Sequence, residues 1–132
     1  MAIHQDYLIR MIQEIISLLV AALMNKRKIR EKAWEEYDAM SHKLLGFSTR
    51  ELLGMEAGEL IARYADDEER CGKLELAAAN MLKMAEEVED NILLKSRLRQ
   101  ESLQLLTYLQ QEGDTFSLQR EYLIKLIQAN GQ

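Results

Sequence analysis

Two histidines, His4 and His42, and one cysteine, Cys71, are the side chains of this sequence best suited to proton transfer, nucleophilic attack or soft-metal binding near neutral pH. Their surroundings do not frame such chemistry. Di-metal helical bundles use Glu-x-x-His on a helix, but Ala39 stands three residues before His42 and Met1 three before His4. A helical HExxH is absent, and a single cysteine makes CxxC impossible. Gly54 and Gly58 belong to no phosphate loop or GxGxxG turn, and no serine sits in a GxSxG elbow. Carboxylates cluster at Asp66–Glu69 and at Glu86, Glu87, Glu89 and Asp90. Paired carboxylates serve acid–base catalysis or hold a hard cation. The D-x-D-x-D-G calcium spacing is missing, however, and both clusters fall where helix ends and solvated faces are expected. Cys71 has no histidine near it in sequence and reads as a small side chain at a helix start. The expectation is a protein without catalytic residues, metal or cofactor.

Basic chemistry is concentrated in Lys26, Arg27, Lys28, Arg30 and Lys32. Glu31, Glu35 and Glu36 interleave with them at helical spacings, as in Lys32 with Glu36, which describes a solvated face. The net charge is −5. Residues 1–50 hold eight Lys/Arg against six Asp/Glu, and residues 51–132 nine against sixteen. A general attraction to nucleic acid or anionic lipid needs the opposite balance. Residues 48–64, STRELLGMEAGELIARY, have the outline of two short helices around a turn. The second would offer bases Glu56, Ala57, Gly58 and Glu59 where donors are needed, which leaves a DNA-binding regulator as a minor alternative. Residues 15–24, IISLLVAALM, are apolar except for Ser17. That run is shorter than the roughly 20 residues of a spanning helix. No nucleic acid and no membrane are expected as partners, and one cysteine suits the reducing cytoplasm.

These side chains must be positioned by helices. The chain has 132 residues, no proline and six glycines, and 48% of it is hydrophobic. Leu, Glu, Ala, Lys, Gln, Met and Arg all favour helix. The pattern predicts an all-α, antiparallel bundle of about five to six helices in one domain over residues 1–132. An N-terminal helix pair occupies 6–45, short helices 48–64, and C-terminal helices 67–129. Helix 1 (6–24) carries Asp6, Arg10, Gln13, Glu14 and Ser17 at spacings of three and four, a narrow polar stripe on a helix otherwise apolar all round. Such a helix is expected either at the centre of the fold or against a second subunit. A break at Met24–Lys26 precedes helix 2, which Gly46 closes in a left-handed conformation. Ser48-Thr-Arg-Glu51 is a capping box. The acidic run 66–69 opens a helix to about Asp90, Asp90-Asn91 makes a corner, and the next helix stops at Gly113. DYLIRMIQ (6–13) and EYLIKLIQ (121–128) share five identities in eight. The echo arises either by coincidence or because the first and last helices occupy equivalent places, closing the bundle or meeting across a dimer axis.

Asp6–Ile12 (DYLIRMI), Trp34–Asp38 (WEEYD) leading into Leu44–Phe47 (LLGF), the ELL/ELI segment of Glu51–Ile61, and a long helical pair after them occur together. In these the chain resembles an uncharacterised bacterial family of small all-helical proteins, a domain of unknown function with a degenerate tetratricopeptide-like helix pair. The resemblance implies stacked antiparallel helix pairs in the C-terminal half and carries no catalytic residues. Met81, Met84-Ala85 and Val88 fit the first helix of such a repeat loosely, whereas Leu98, Leu105 and Tyr108 occupy places for small residues in the second.

The function expected is a non-catalytic protein–protein interaction or scaffold module, with an unidentified protein partner and a possible homodimer. Its surface is expected on helices 1 and 6, at Tyr7, Met11, Ile15, Leu18, Leu19, Tyr122 and Ile127. The alternative is a small-molecule or lipid-binding bundle with a pocket lined by methionines.

Overall fold

In the computed structural model, residues 2–25, 31–112 and 118–130 are described. Among them there are six α-helices and one 3-10 turn, with no strand. The helices are α1 (Ala2–Asn25), α2 (Glu31–Leu45), α3 (Ala57–Arg63), α4 (Arg70–Glu87), α5 (Ile92–Glu112) and α6 (Leu118–Asn130), with the 3-10 turn at Thr49–Gly54. The chain is an all-α helical bundle. The break expected at Met24–Lys26 runs past the described residues, which follow α1 as far as Asn25 and resume in α2 at Glu31. Residues 26–30, the heart of the basic cluster, lie outside the described residues, as do the side chain of Lys32 and the stop at Gly113.

The central helix is α4, not α1. Leu74, Leu76, Ala77, Ala78, Ala79, Asn80, Met81, Leu82, Lys83 and Ala85 of α4 are all buried, so it is enclosed on every side. The reason lies in the three successive alanines, whose small side chains let neighbours close in all round. The sequence pattern places α1 either at the centre or against a second subunit because its residues are larger and more apolar. In the fold α1 buries one face, made of Ile12, Ile15, Ile16, Leu19, Val20 and Leu23. That face meets α4 closely. A Cβ on Gly72 would stand 3.3 Å from Ile12 Cγ2, tight enough that Ile12 would have to shift by a few tenths of an ångström.

Helices α4 and α5 run antiparallel. Ser102 Oγ donates to the Ala78 carbonyl at 2.9 Å, and Arg99 pairs with Glu86 nearer the corner that joins the two helices. Inward residues of α5 are Leu98, Ser102, Leu105, Leu106 and Leu109. Helix α4 ends at Glu87, three residues before the expected Asp90, because Val88 turns extended. Asn91 then opens α5, its Oδ1 accepting the Leu94 N–H at 3.0 Å. At the other end, Asp67–Glu69 forms the turn before α4 instead of its first turn. There Asp67 accepts the Glu69 N–H at 2.7 Å and the Lys73 ammonium at 2.6 Å.

The segment between α2 and α4 is tied down by its polar groups. Gly46 has φ +92°, the left-handed closure expected, and its N–H donates to the His42 carbonyl. Ser48 Oγ accepts the Arg50 N–H while Glu51 accepts the Ser48 N–H, completing the capping box around a 3-10 turn instead of an α-helix. From α5, Arg97 donates to the Leu53 and Gly54 carbonyls, and Glu101 accepts the Ala57 N–H at 2.6 Å. Two side chains one helical turn apart thereby satisfy the end of the 3-10 turn and the start of α3. Tyr64 donates to the Leu45 carbonyl at 2.6 Å, and burial pushes its hydroxyl up to about 12.

Candidate functional site

Two features lie on different flanks of α1. The first is its outward edge. Arg10, Gln13, Glu14 and Ser17 are exposed, as the polar stripe required. Next to them around the helix, Tyr7 (61% exposed) and Leu18 (39% exposed) face solvent, with half-buried Met11 between them. At 100° per residue these three fall within about 40° of one another. Tyr7 to Leu18 spans three turns, roughly 17 Å at the helical rise. Arg10 and Glu14 border this apolar edge, four residues apart, and neither makes an ion pair among the described residues.

The stretch Tyr7–Met24 has a mean hydropathy of 1.7 and by length and composition alone could cross a membrane. Core helices share that composition, and 39% of this stretch is buried in the fold. Its six inward residues belong to the hydrophobic core.

The second feature is a cleft of about 650 Å3 on the other flank of α1. Ile9, Ile12, Ile16 and Leu109 give it an apolar floor. Its polar wall is built by α4 and α6, where Arg120 Nε lies 3.1 Å from Glu75 Oε1. Burial pushes the Glu75 carboxyl above its ordinary value, and the charge and hydrogen bond of Arg120 pull it back only in part. Gln119 donates to Ser17 Oγ at 2.8 Å, which pins the start of α6 to α1. Cys71 is exposed at the rim with no disulfide partner. No group of three or more potential metal ligands occurs among the described residues.

The seven residues expected to form an interaction surface divide into three sets. Tyr7 and Leu18 are exposed and share one edge with half-buried Met11. Tyr122 is half-buried on α6. Ile15, Leu19 and Ile127 are core residues, 1%, 1% and 4% exposed, so they are closed to any partner. The reason is a helix whose core stripe and outward edge are both apolar: composition marks the residues without saying which side faces α4. The echoed helices agree in exposure only in part: Tyr7 is exposed where Tyr122 is half-buried, and Leu8 is half-buried where Leu123 is buried. Ile12 and Ile127 are both buried, Arg10 and Lys125 both exposed, Gln13 and Gln128 both exposed, and α1 touches α6 within one chain.

Sequence reasoning passed over Glu75 and Arg120. Periodicity held a signal for Arg120, which precedes buried Leu123 and Ile127 by three and seven residues on the inward stripe of α6. It also passed over Ile92 and Leu93, 82% and 83% exposed at the α4–α5 corner beside Glu89 and Asp90.

A second, shallower cleft of about 460 Å3 lies where α2 meets the 3-10 turn and the end of α4, lined by Trp34, Asp38, Thr49, Arg50, Met84 and Glu87. Several of its polar groups are engaged with one another. Thr49 hydrogen-bonds Asp38, and nearby Lys83 lies 2.6 Å from Glu87 and 5.8 Å from the Trp34 ring centre.

No protein-family model matches the sequence, and no curated protein or solved structure matches it either.

Proposed function

We propose that this chain is a non-catalytic interaction module that binds another protein through the outward edge of α1. The observation that carries the reading is Tyr7 and Leu18 held in solvent on the same edge as Met11, on a helix whose opposite face anchors the core. A rigid helix presenting apolar residues three turns apart is a standard helix-recognition surface. Among the described residues the most buried charged pair, Glu75 with Arg120, is closed on itself, which leaves the apolar edge of α1 as the feature that supports a binding role. We do not extend the proposal to DNA. Helix α3 turns Glu59 and Ala62 outward, and Arg63 is spent over the Phe47 ring at 4.7 Å.

The test is site-specific photo-crosslinking in the native host, with the photoreactive residue at position 18 or, as control, at exposed Gln104 on α5. Discrete protein adducts at 18 and none at 104, lost when Tyr7→Glu is added, support the reading. Adducts at neither position, or equally at both, contradict it.

A second reading is favoured by the α1–α4–α6 cleft, whose volume falls within the usual range of ligand pockets. In it the cleft holds a small amphipathic molecule, its apolar part on Ile9 and Ile16 and its polar part at Gln13 and Gln119.

A further inference from the structure

With α1's outward edge taken as the binding surface, we infer that its partner is a second copy of this chain, docked with the two α1 helices antiparallel about a twofold axis. A partner for this edge must cover Tyr7, Met11 and Leu18 and also answer Arg10 and Glu14, one cation and one anion set one helical turn apart. Within one helix, an arginine four residues before a glutamate is the less favourable order for pairing, and the two make no ion pair among the described residues. An antiparallel copy reverses the order. Placed with its axis near residue 12, it sets Arg10 against the partner's Glu14 and Glu14 against the partner's Arg10. The same register brings Tyr7 beside the partner's Leu18 at both ends, with the two Met11 side chains near the axis. Every residue on the edge then has a complement, as an isologous interface requires. A parallel copy would set like charges opposite each other.

The contact is small. One helix edge three turns long covers less than the roughly 800 Å2 per partner of a standard interface, so the dimer is reversible.

Sedimentation equilibrium of the full chain, from about 10 μM to about 1 mM to bracket weak association, tests this. The wild-type mass is expected to rise from 15.3 kDa towards twice that value. Arg10→Glu and Glu14→Arg each place like charges across the axis and are expected to weaken the dimer at least about tenfold. The double reversal restores opposite charges and is expected to return affinity to within about threefold of wild type. Leu18→Glu, on the surface and independent of the charge pair, is expected to leave a folded monomer by circular dichroism. A wild-type chain that stays monomeric throughout, a dimer indifferent to the charge reversals, or a double reversal without rescue overturns the inference. So does flotation of a monomeric chain with phosphatidylglycerol vesicles that Leu18→Glu abolishes, which would assign the edge to lipid. Position-18 crosslinks separate the two levels. Adducts to other proteins from a monomeric chain overturn only the second copy as partner; no adduct at all overturns the α1 surface itself.

Discussion

Arg120 on α6 lies 3.1 Å from Glu75 on α4, both side chains largely withdrawn from water. This ion pair fastens the last helix to the central one and forms the wall of the cleft beside α1. Removing one member leaves a buried charge without its counterion, a larger effect than the pair contributes over an apolar replacement. Arg120→Ala is therefore expected to lower the unfolding free energy by about 3 kcal/mol. Glu75→Leu combined with Arg120→Met is expected to recover most of that loss. Urea denaturation of the three chains measures both.

Glu75 also gives the fold a pH dependence of definite sign. Its folded pKa is raised, first by burial, with Arg120 opposing. The folded state thus holds this proton more tightly than the unfolded chain. The associated stability is fully present below the ordinary value of 4.5 and is lost as pH rises through the higher folded value. Asp67 acts in the other direction. Burial raises its pKa, but the Lys73 hydrogen bond, the Glu69 N–H and the Lys73 charge together hold it below 3.8. Its contribution is present above 3.8 and is lost as pH falls through the folded value. In urea titrations across acidic pH, Glu75→Gln is expected to remove a decline on the way up from 4.5, and Asp67→Asn a decline on the way down from 3.8.

The α1–α4 approach at Gly72 is expected to resist enlargement. A Cβ there already meets Ile12 at 3.3 Å, so a longer side chain must displace a fully buried neighbour. Gly72→Leu is expected to destabilise by about 2 kcal/mol. Ile12→Ala made in the same chain is expected to cost less than it does alone, because the new leucine fills the space it vacates. A double-mutant cycle by chemical denaturation reads the coupling directly.

Glu101 and Arg97 are expected to govern local order around Ala57 more than global stability. Their hydrogen bonds close backbone groups of the 3-10 turn and α3 that no helix hydrogen bond reaches. Glu101→Ala is expected to raise hydrogen exchange at Ala57 and its helical neighbours while amides in the middle of α4 keep their protection.

Composition and period made much of this architecture legible. A 3.6-residue spacing predicts Leu74, Ala77, Ala78, Met81, Leu82, Ala85 and Val88 inward on α4 and Leu94, Leu98, Leu105 and Leu109 inward on α5; all are buried except Val88 and Leu94, which are half-buried near the corner between the two helices. Gly46 and the Ser48 capping box were readable because local chemistry alone dictates them. What stayed hidden depended on other helices. The centrality of α4 comes from alanines, which carry little hydrophobic weight in a pattern but decide how closely neighbours approach. The site was legible by half. Tyr7 and Leu18 stand on the open edge of α1, while Ile15 and Leu19, equally apolar and one turn away, are sealed against the core. Only the position of α4 separates the two pairs. The Glu75–Arg120 pair joins residues far apart in sequence, which spacing cannot connect.

Cysteine pairing between chains tests the account most directly. In a Cys71→Ser background, chains carrying Tyr7→Cys and Leu18→Cys are mixed and oxidised gently. The antiparallel docking of α1 predicts a mixed disulfide between positions 7 and 18 as the dominant product, with little pairing from Gln104→Cys in place of either. A yield of 7-to-18 disulfide no greater than that from the Gln104→Cys control would contradict it.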